Sequence, residues 1–459
     1  MTRDLNRRSF LKTTAGGLAA GRLLGGPHSL KAMPPRKPNI IVILADDLGY
    51  ADVGFQGCKD IPTPNIDSLA RGGVRFTSGF VSHPFCSPTR AGLMTGRYQQ
   101  RFGHENNPRY DPGDAAAGLP LDQVTLPQVL SGAGYATGIV GKWHLGATPA
   151  HHPTRRGFQE QFGFIGGGHD YFKADPNDRR EYFIPIERNG KPVTETEYLT
   201  DAFSREAAAF IRRHQKDPFF LYLAYNAPHT PLQAPEKYLD RFNHIEDKTR
   251  RSYAALISGM DDGIGRVLAT LRKLKLDSQT LVFFLSDNGG PTQVTNSSNA
   301  PLRGAKGQVY EGGIRVPFVA RWTGRLPAGK LYDHPVMALD IFPTAAALAG
   351  ARLRDGLQLD GADLMPHLLG KPSRPPHDRL FWRTGGGAAF AVREGRYKLV
   401  RIGEQTELYD LETDIGESND ISASHPEIVK KLDEARQQWN RELKPPLFES
   451  PRPAAKKNN

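Results

Sequence analysis

The sequence contains very little cysteine: among its 459 residues only Cys58 and Cys86 are cysteines. Two cysteines can form at most one disulfide, so a disulfide-stapled scaffold and a cysteine-rich zinc fold are both excluded. No apolar run approaches twenty residues, which excludes a membrane-spanning helix as an organising element. The fold must therefore rest on a hydrophobic core, for which a chain of this length and 38% hydrophobic residues is sufficient.

The sequence also lacks a basic stripe in its body, although its formal net charge is +11. The first 32 residues hold six lysines and arginines against one aspartate, and the tail at 451–459 holds three more. Between these ends no basic run alternates with aromatic residues. Nucleic acid is therefore not an expected partner.

Residues 1–32 resemble a targeting segment. Arg7 and Arg8 precede Ser9-Phe10-Leu11-Lys12, and a Gly- and Ala-rich run extends from 13 to 26. This order resembles a bacterial twin-arginine export signal, and a disordered basic arm is the alternative. We predict that the twin-arginine translocase exports the protein to the periplasm or the medium and that the signal is cleaved.

Four apolar segments have the pattern of buried parallel strands. They span 39–45, 135–140, 218–225 and 281–285. Helical periodicity over 201–214 and 253–274 lies between them, and alternating strands and helices are typical of α/β domains. We predict a catalytic domain over residues 33–370, with a mostly parallel central sheet flanked by helices.

The pattern changes at a proline-rich segment, residues 371–378. Short strands separated by glycine turns are predicted at 380–383, 388–394, 397–401 and 407–411, and an amphipathic helix at 426–443. Residues 371–450 are therefore predicted to form a smaller C-terminal subdomain, in which an antiparallel sheet packs with one helix.

Polar residues follow each of the four parallel strands. In chain order they are Asp46 and Asp47, Lys142 and His144, His229, and Asp287 and Asn288. Ligands of open α/β sheets bind beyond the carboxyl ends of the strands, so these side chains are expected to meet. Taken singly, each has a plainer explanation, because an aspartate after a strand often caps a helix and a lone histidine is often a surface residue.

The adjacent pair Asp46 and Asp47 is harder to explain in that way. Two carboxylates at a buried strand end repel each other and need a compensating cation. Asp287 and Asn288 supply further oxygen atoms from a second strand. Oxygen ligands without a histidine or cysteine cluster favour a hard cation such as Ca²⁺ or Mg²⁺.

Cys86 lies at a predicted helix start, because Pro88 fits the first helical position. The free N–H groups there favour an anion, and Arg90 lies one turn further on. Beside a metal, lysine and histidines, this arrangement suggests a tetrahedral oxyanion substrate. The plainer explanations for Cys86 are a small buried residue or half of a disulfide. Cys58 has no such context and is interpreted as a packed small residue.

Cys86-Ser87-Pro88-Thr89-Arg90 resembles the Cys-x-Pro-x-Arg signature of the formylglycine-dependent (type I) sulfatases, within the alkaline phosphatase superfamily. Further similar segments occur, in family order, before and after this signature: at 63–67, 141–146, 227–229, 301–307 and 310–317. The resemblance covers the chain from about residue 38 onward and is closest to the arylsulfatase A and N-acetylgalactosamine-6-sulfatase branch. Two departures are minor: Ala305 replaces a usual glycine, and Thr89 a commoner serine.

The resemblance implies a set of site residues. Cys86 would be oxidised to formylglycine by the formylglycine-generating enzyme, and one Ca²⁺ would be bound by residue 86 with Asp46, Asp47, Asp287 and Asn288. Arg90 and Lys142 would orient the hydrated aldehyde, His144 would act on its gem-diol, and His229 and Lys306 would face the sulfate and its leaving oxygen. One hydroxyl of the gem-diol would attack sulfur and the second would expel sulfate, a step that a plain alcohol cannot perform.

The implied activity is hydrolysis of a sulfate monoester, with a sulfated sugar as the expected substrate. His104, His169 and Asp170 lie in polar loops beyond the strand ends and are expected to contact it, although solvated loop residues are the alternative. Two other functions stay open: a formylglycine-dependent phosphodiesterase or phosphonate hydrolase, and an exported glycan-binding protein with an inactive site.

Overall fold

The structure is a computed structural model that describes residues 36–449, apart from 176, 179 and 371–373. A ten-stranded sheet organises this part of the chain. The predicted export signal and the basic tail lie outside these residues. The strands, numbered in chain order, are β1 Asn39–Ala45, β2 Val74–Phe76, β3 Gly79–Phe80, β4 Ala136–Lys142, β5 Glu160–Phe164, β6 Ile186–Arg188, β7 Lys191–Val193, β8 Phe219–Ala224, β9 Thr280–Ser286, β10 Phe318–Arg321, β11 Lys330–Tyr332, β12 Val336–Met337, β13 Arg379–Thr384, β14 Ala389–Glu394, β15 Tyr397–Ile402 and β16 Gln405–Asp410.

The four predicted parallel strands are neighbours in this sheet. Its order is β11-β2-β10-β9-β1-β8-β4-β5-β6-β7, and the β9-β1, β1-β8 and β8-β4 pairs are all parallel. The carboxyl ends of β9, β1, β8 and β4 therefore lie at one edge. Antiparallel strands occur further out, at β10 and in the β6-β7 hairpin. The predicted mostly parallel α/β fold is confirmed.

Helices cover both faces of the sheet, which is why its central strands are apolar throughout. On one face α2 and α9 pack against Ile40, Val42 and Leu44, and on the other α1, α4 and α6 pack against Ile41 and Ile43. The helices are α1 Pro64–Arg71, α2 Cys86–Thr95, α3 Leu126–Gly132, α4 Leu199–Arg213, α5 Glu236–Leu239, α6 Lys248–Lys273, α7 Thr292–Thr295, α8 Glu311–Ile314, α9 Ile341–Ala349, α10 Met365–Leu368 and α11 Pro426–Asn440.

Helix α6 begins five residues before the periodic pattern indicates. Its first turn is polar, so apolar spacing gives no signal there. Asp247 caps this turn by accepting a hydrogen bond from the Arg250 N–H at 2.6 Å. A capping carboxylate therefore fixes the start of α6, and packing of the apolar face fixes the remainder.

Strands β13 to β16 form the predicted antiparallel sheet, and α11 packs against β14. The indole N–H of Trp382 in β13 donates to the Val81 carbonyl at 2.7 Å. Trp382 and Phe80 also share one hydrophobic cluster with the central sheet. The C-terminal sheet is thus joined to the segment that leads into α2, while the boundary at residue 371 stays a prediction.

Candidate active site

Three of the four central parallel strands place acidic and basic side chains at the same edge of the sheet. Asp46 and Asp47 follow β1, Asp287 follows β9, and Lys142 is the last residue of β4. All four are at least 98% buried. The convergence that the strand ends predict is present in the structure.

The backbone turns sharply at two of these positions. Asp47 has a φ of 68° and His144 a φ of 59°, in the left-handed region that residues with a side chain rarely adopt. The Asp47 N–H donates to Asp287 Oδ1 at 3.2 Å, which ties the end of β1 to that of β9. Such conformations persist where the surrounding structure holds them, and they are common at functional sites.

Helix α2 brings Cys86 and Arg90 to the edge. Cys86 is the first residue of the helix, so the predicted helix start is right, but Pro88 occupies the third position rather than the first. The thiol is buried and lies 3.9 Å from Asp47 Oδ1. Cys86 and Cys58 are both free thiols, and Cys58 is half-buried beside Asp60 and Arg250.

Three cations face the three carboxylates. Lys142 Nζ lies 2.5 Å from Asp46 Oδ2, Arg90 Nη2 lies 2.7 Å from Asp287 Oδ2, and Lys306 Nζ lies 2.7 Å from Asp47 Oδ1. Lys306 reaches Asp47 from the loop between α7 and α8. Burial favours close pairing of this kind, because an isolated ion in the interior is costly.

Two buried oxygen atoms in this group have no hydrogen-bond partner: Asp46 Oδ1 and Asn288 Oδ1. Ligand atoms of Asp46, Asp47, Cys86 and His229 also lie within 4.8 Å of one another. An oxygen-rich pocket with unpartnered acceptors fits a hard cation. Four of the five predicted ligands, Asp46, Asp47, Cys86 and Asn288, lie together here, and His229 lies with them. The fifth, Asp287, has its Oδ2 bound to Arg90.

The carboxylates differ in acidity. Burial opposes ionisation of Asp47, but the charge of Lys306, with hydrogen bonds from Lys306 and Asn288, outweighs it and holds the pKa of Asp47 well below its usual range. Burial and the charge of Asp46 raise the pKa of Asp287 to about 6, against the opposing effect of Arg90. Asp47 is therefore more firmly ionised than Asp287.

The two histidines are neutral bases in this setting. Burial, together with the charges of Lys142 and Arg90, lowers the pKa of His144 well below its usual value. Burial lowers the pKa of His229 to about 3, although Asp47, 3.6 Å from its Nε2, opposes this. Burial likewise raises the pKa of the Cys86 thiol, so an unmodified Cys86 is a protonated, poor nucleophile.

Gly167 lies against His144 in the loop that follows β5. A Cβ at position 167 would be 2.7 Å from His144 Nε2 and 2.6 Å from Glu181 Oε1. Tyr182 packs over Gly168 and is 36% exposed. Glu181 and Tyr182 are not predicted from the sequence, in which only their position in a polar loop indicates a place near the site.

The three predicted substrate residues are all buried and internally hydrogen bonded. His104 Nε2 lies 2.6 Å from Ser87 Oγ, and both ring nitrogens of His169 lie within 2.7 Å of backbone carbonyls. Asp170 accepts from the N–H groups of Phe172 and Lys173 and from the side chain of Gln233. Their contact with substrate stays a prediction, and their observed bonds shape the loops around the site.

Comparison with known proteins identifies the class that this site defines. The sulfatase family model matches residues 38–351, and the C-terminal model of N-sulphoglucosamine sulphohydrolase matches residues 305–442. The chain belongs to the sulfatase family, whose members are sulfuric ester hydrolases. The family predicted from the ordered motif series is thus confirmed.

Individual relatives agree over most of their length. N-acetylgalactosamine-6-sulfatase of Sus scrofa is 37% identical over 79% of this chain and 72% of its own, and the sulfatase YdeN of Escherichia coli is 30% identical over 96% and 91%. The crystal structure of Ps i-CgsB in complex with k-i-k-neocarrahexaose is 42% identical, with a TM-score of 0.86 over 90% of this chain and 95% of that one.

Proposed function

We propose that this sulfatase hydrolyses a sulfate monoester on a sulfated sugar, using Ca²⁺ and a formylglycine made from Cys86. The observation that carries the proposal is the single buried group at the sheet edge. In it Cys86 meets three carboxylates, three cations and two neutral histidines. Six of these residues are the proposed catalytic set: Cys86, Arg90, Lys142, His144, His229 and Lys306.

The metal would be held by Asp46, Asp47, Asn288 and residue 86, with Asp287 at the same edge. The unpartnered oxygens of Asp46 and Asn288 support this assignment. A bound Ca²⁺ supplies positive charge that polarises a sulfate oxygen. Cys86 and His229 are the softer donors in this group, and conversion of Cys86 to formylglycine would replace its thiol with oxygen, which favours the hard cation.

The hydrated formylglycine supplies two hydroxyl groups on one carbon, of which one is the nucleophile. The other residues have roles that follow from their positions. Lys142 forms an ion pair with Asp46, and Arg90 forms one with Asp287. These pairs fix the arrangement of the side chains around residue 86. His144, neutral and beside the pocket, accepts a proton from the second hydroxyl.

His229 and Lys306 lie on the Asp47 side of the pocket. A positive lysine stabilises negative charge that develops on the sulfate. His229 is neutral without substrate, so it acts as a donor after it has taken up a proton beside the bound sulfate, whose negative charge favours the imidazolium; that proton then passes to the departing oxygen. This division gives each histidine its own step.

The substrate class is supported by the relatives. One is named for the 6-sulfate of N-acetylgalactosamine, and one solved structure holds a neocarrahexaose, so both are linked to carbohydrate. The exposed face of Tyr182 beside the pocket offers an aromatic surface of the kind that packs on a sugar ring.

A comparison of two substrates tests the reaction class. A phosphonate monoester hydrolase of Agrobacterium radiobacter shares the fold at 20% identity and a TM-score of 0.66, so phosphodiester cleavage is the natural competitor. The purified, matured enzyme is expected to turn over a nitrophenyl sulfate far faster than the matching nitrophenyl phosphodiester. Preference for the phosphodiester would contradict the proposal, and turnover of neither would favour a glycan-binding role.

We also propose export by the twin-arginine translocase after Cys86 has been modified in the cytoplasm. This translocase carries folded proteins, which suits a chain that needs modification before it leaves. Replacing Arg7 and Arg8 with lysines should retain the protein in the cytoplasm of a host that has the translocase. No helix among the described residues is long and apolar enough to cross a membrane. Export of the lysine variant would contradict this route.

A further inference from the structure

The backbone at His144 is held from both sides. The Trp143 N–H donates to the Phe164 carbonyl at 3.0 Å and the His144 N–H to the Ile165 carbonyl at 3.2 Å. These bonds continue the pairing of β4 with β5 past the end of β4. They fix the N–H group of His144, whose φ is in the left-handed region.

Two side chains of helix α2 donate to the backbone carbonyls of His144 and Lys142. Ser87 Oγ donates to the His144 carbonyl at 2.5 Å, and Arg90 Nη1 donates to the Lys142 carbonyl at 3.2 Å. Ser87 and Arg90 are three residues apart and therefore lie on one face of the helix. The helix that begins with Cys86 thus also fixes the backbone of the proposed base.

His104 completes the arrangement. Its Nε2 lies 2.6 Å from Ser87 Oγ. A hydroxyl has one proton, which Ser87 gives to the His144 carbonyl, so Nε2 of His104 is the donor in this bond. The Phe448 ring packs edge-on against His104 at 5.0 Å, and the Phe448 carbonyl accepts from the side chain of Asn106 at 2.7 Å. Ser87 and His104 are fully buried.

We propose that Ser87 and His104 are positioning residues for His144. The inference rests on the proposed function, in which His144 is the base, and it assigns no contact with substrate to either residue. His104 orients the Ser87 hydroxyl, and that hydroxyl holds the His144 carbonyl so that its left-handed turn is kept. The imidazole of His144 then keeps its place against Gly167.

Variants of His104 test this chain of bonds without touching the maturation motif. His104→Leu removes the donor at similar volume, and we expect kcat for a nitrophenyl sulfate to fall about tenfold, the loss that one buried hydrogen bond implies. KM should change little, because no substrate contact is lost. His104→Gln restores an N–H donor and should recover most of kcat. His83→Leu is the matched control, since His83 is equally buried nearby but neither of its ring nitrogens has a partner.

Ser87 supplies the second half of the test. Ser87→Ala lies inside the motif, so its kcat is expressed per molecule of formylglycine, measured by mass spectrometry. If both residues act through one path, the double variant with His104→Leu should lose no more than Ser87→Ala alone. Fully additive losses, unchanged kcat in His104→Leu, or no recovery in His104→Gln would each overturn the proposal.

A crystal structure of His104→Leu separates this inference from the proposed function. Absence of sulfatase turnover in the mature wild-type enzyme would defeat the proposed function. The variant structure would still report on the pair: a lengthened Ser87–His144 bond or a changed φ at His144 supports the positioning role. An unchanged turn and bond would overturn it.

Discussion

Two buried groups of charged residues in the described part of the chain are similar in composition but differ in how fully their polar atoms are paired. The group proposed to be catalytic, called the catalytic group below, combines three carboxylates with Arg90, Lys142 and Lys306 at the carboxyl edge of the sheet. A second group, the Glu311 cluster, combines Glu311 and Glu417 with Arg315 and Lys398. Both are largely shielded from solvent, and the most exposed of these side chains is Lys306, at 15%.

The Glu311 cluster is closed. Lys398 lies 2.9 Å from Glu311 and 2.8 Å from Glu417, Arg315 lies 3.1 Å from Glu311, and the Glu311 N–H donates to Glu417. These pairs lower the pKa of Glu311 to about 2 against the effect of burial. Because Lys398 is in β15 and Glu311 in α8, the cluster joins the C-terminal sheet to the rest of the chain.

The catalytic group is open by contrast. Asp46 Oδ1, Asn288 Oδ1 and His144 Nδ1 are buried without partners, and two backbone turns are left-handed. Buried charge alone therefore does not mark a functional site. A left-handed turn does not separate the two groups, because Glu417 of the Glu311 cluster also has a positive φ, 51°. The separation lies in the charge pairing: Glu417 Oε1 has no hydrogen bond but lies 2.8 Å from Lys398 Nζ, whereas Asp46 Oδ1 and Asn288 Oδ1 have neither a hydrogen bond nor an ion pair among the described residues.

The largest expected effect is loss of the metal site. Asp46→Asn keeps the shape but removes a charge, so calcium content should fall to near zero and turnover by at least about a hundredfold. Asp52→Asn is the control, because Asp52 is a buried aspartate of the same loop that pairs with Arg250 instead. Elemental analysis and kinetics check both variants. Normal calcium content in Asp46→Asn would refute the assignment.

The two histidines should fail at different steps, each by about a hundredfold or more. His144→Ala should leave sulfate covalently attached to residue 86 after one turnover, because the second hydroxyl lacks its base. His229→Ala should slow sulfate transfer, and more for an alkyl sulfate than for a nitrophenyl sulfate, whose leaving group needs little protonation. Mass spectrometry and single-turnover kinetics separate them. No adduct in His144→Ala, or equal slowing of both leaving groups in His229→Ala, would show that the roles are wrong.

A smaller effect is expected at Gly167, beside His144. Gly167→Ala puts a methyl group 2.7 Å from His144 Nε2, so the imidazole or Glu181 must move. We expect kcat to fall about tenfold with little loss of stability, since a displacement rather than a deletion is involved. Gly132→Ala has open space around its new methyl group and should match the wild type. Wild-type kcat in Gly167→Ala would show that this space is not needed.

The smallest effect on turnover is expected in the Glu311 cluster. Lys398→Met removes the cation between two buried carboxylates and should lower the free energy of unfolding by about 3–5 kcal/mol. The folded fraction should keep its calcium and most of its kcat. Urea unfolding followed by kinetics checks this. Loss of calcium at unchanged stability would erase the distinction between the two groups.

The sequence predicts the catalytic group well because its parts have local signals. Asp46, Lys142 and Asp287 each end or follow an apolar run, and parallel strands bring such ends together whatever lies between them. Lys306 is in a loop without regular pattern, and only the resemblance to a family placed it in the site.

Other features have no local signal in the sequence. The outer strands β6, β7 and β11 are only three residues long, which is too short for periodicity to reveal. Ser87 and His104 meet through tertiary packing, and His104 appears as a substrate residue from its loop position alone. The Glu311 cluster pairs residues about ninety positions apart, so its closure is visible only in the folded chain.

The most direct test of the account is the chemical state of residue 86 in the active enzyme. Protein purified from a host that has the formylglycine-generating enzyme is digested, and the peptide containing Phe85-Cys86-Ser87 is analysed by mass spectrometry. The account predicts that the –CH₂SH group of Cys86 has become –CHO, in a proportion that tracks specific activity, and that Cys86→Ala has neither aldehyde nor turnover. Full activity in protein whose residue 86 is an unmodified thiol would contradict it.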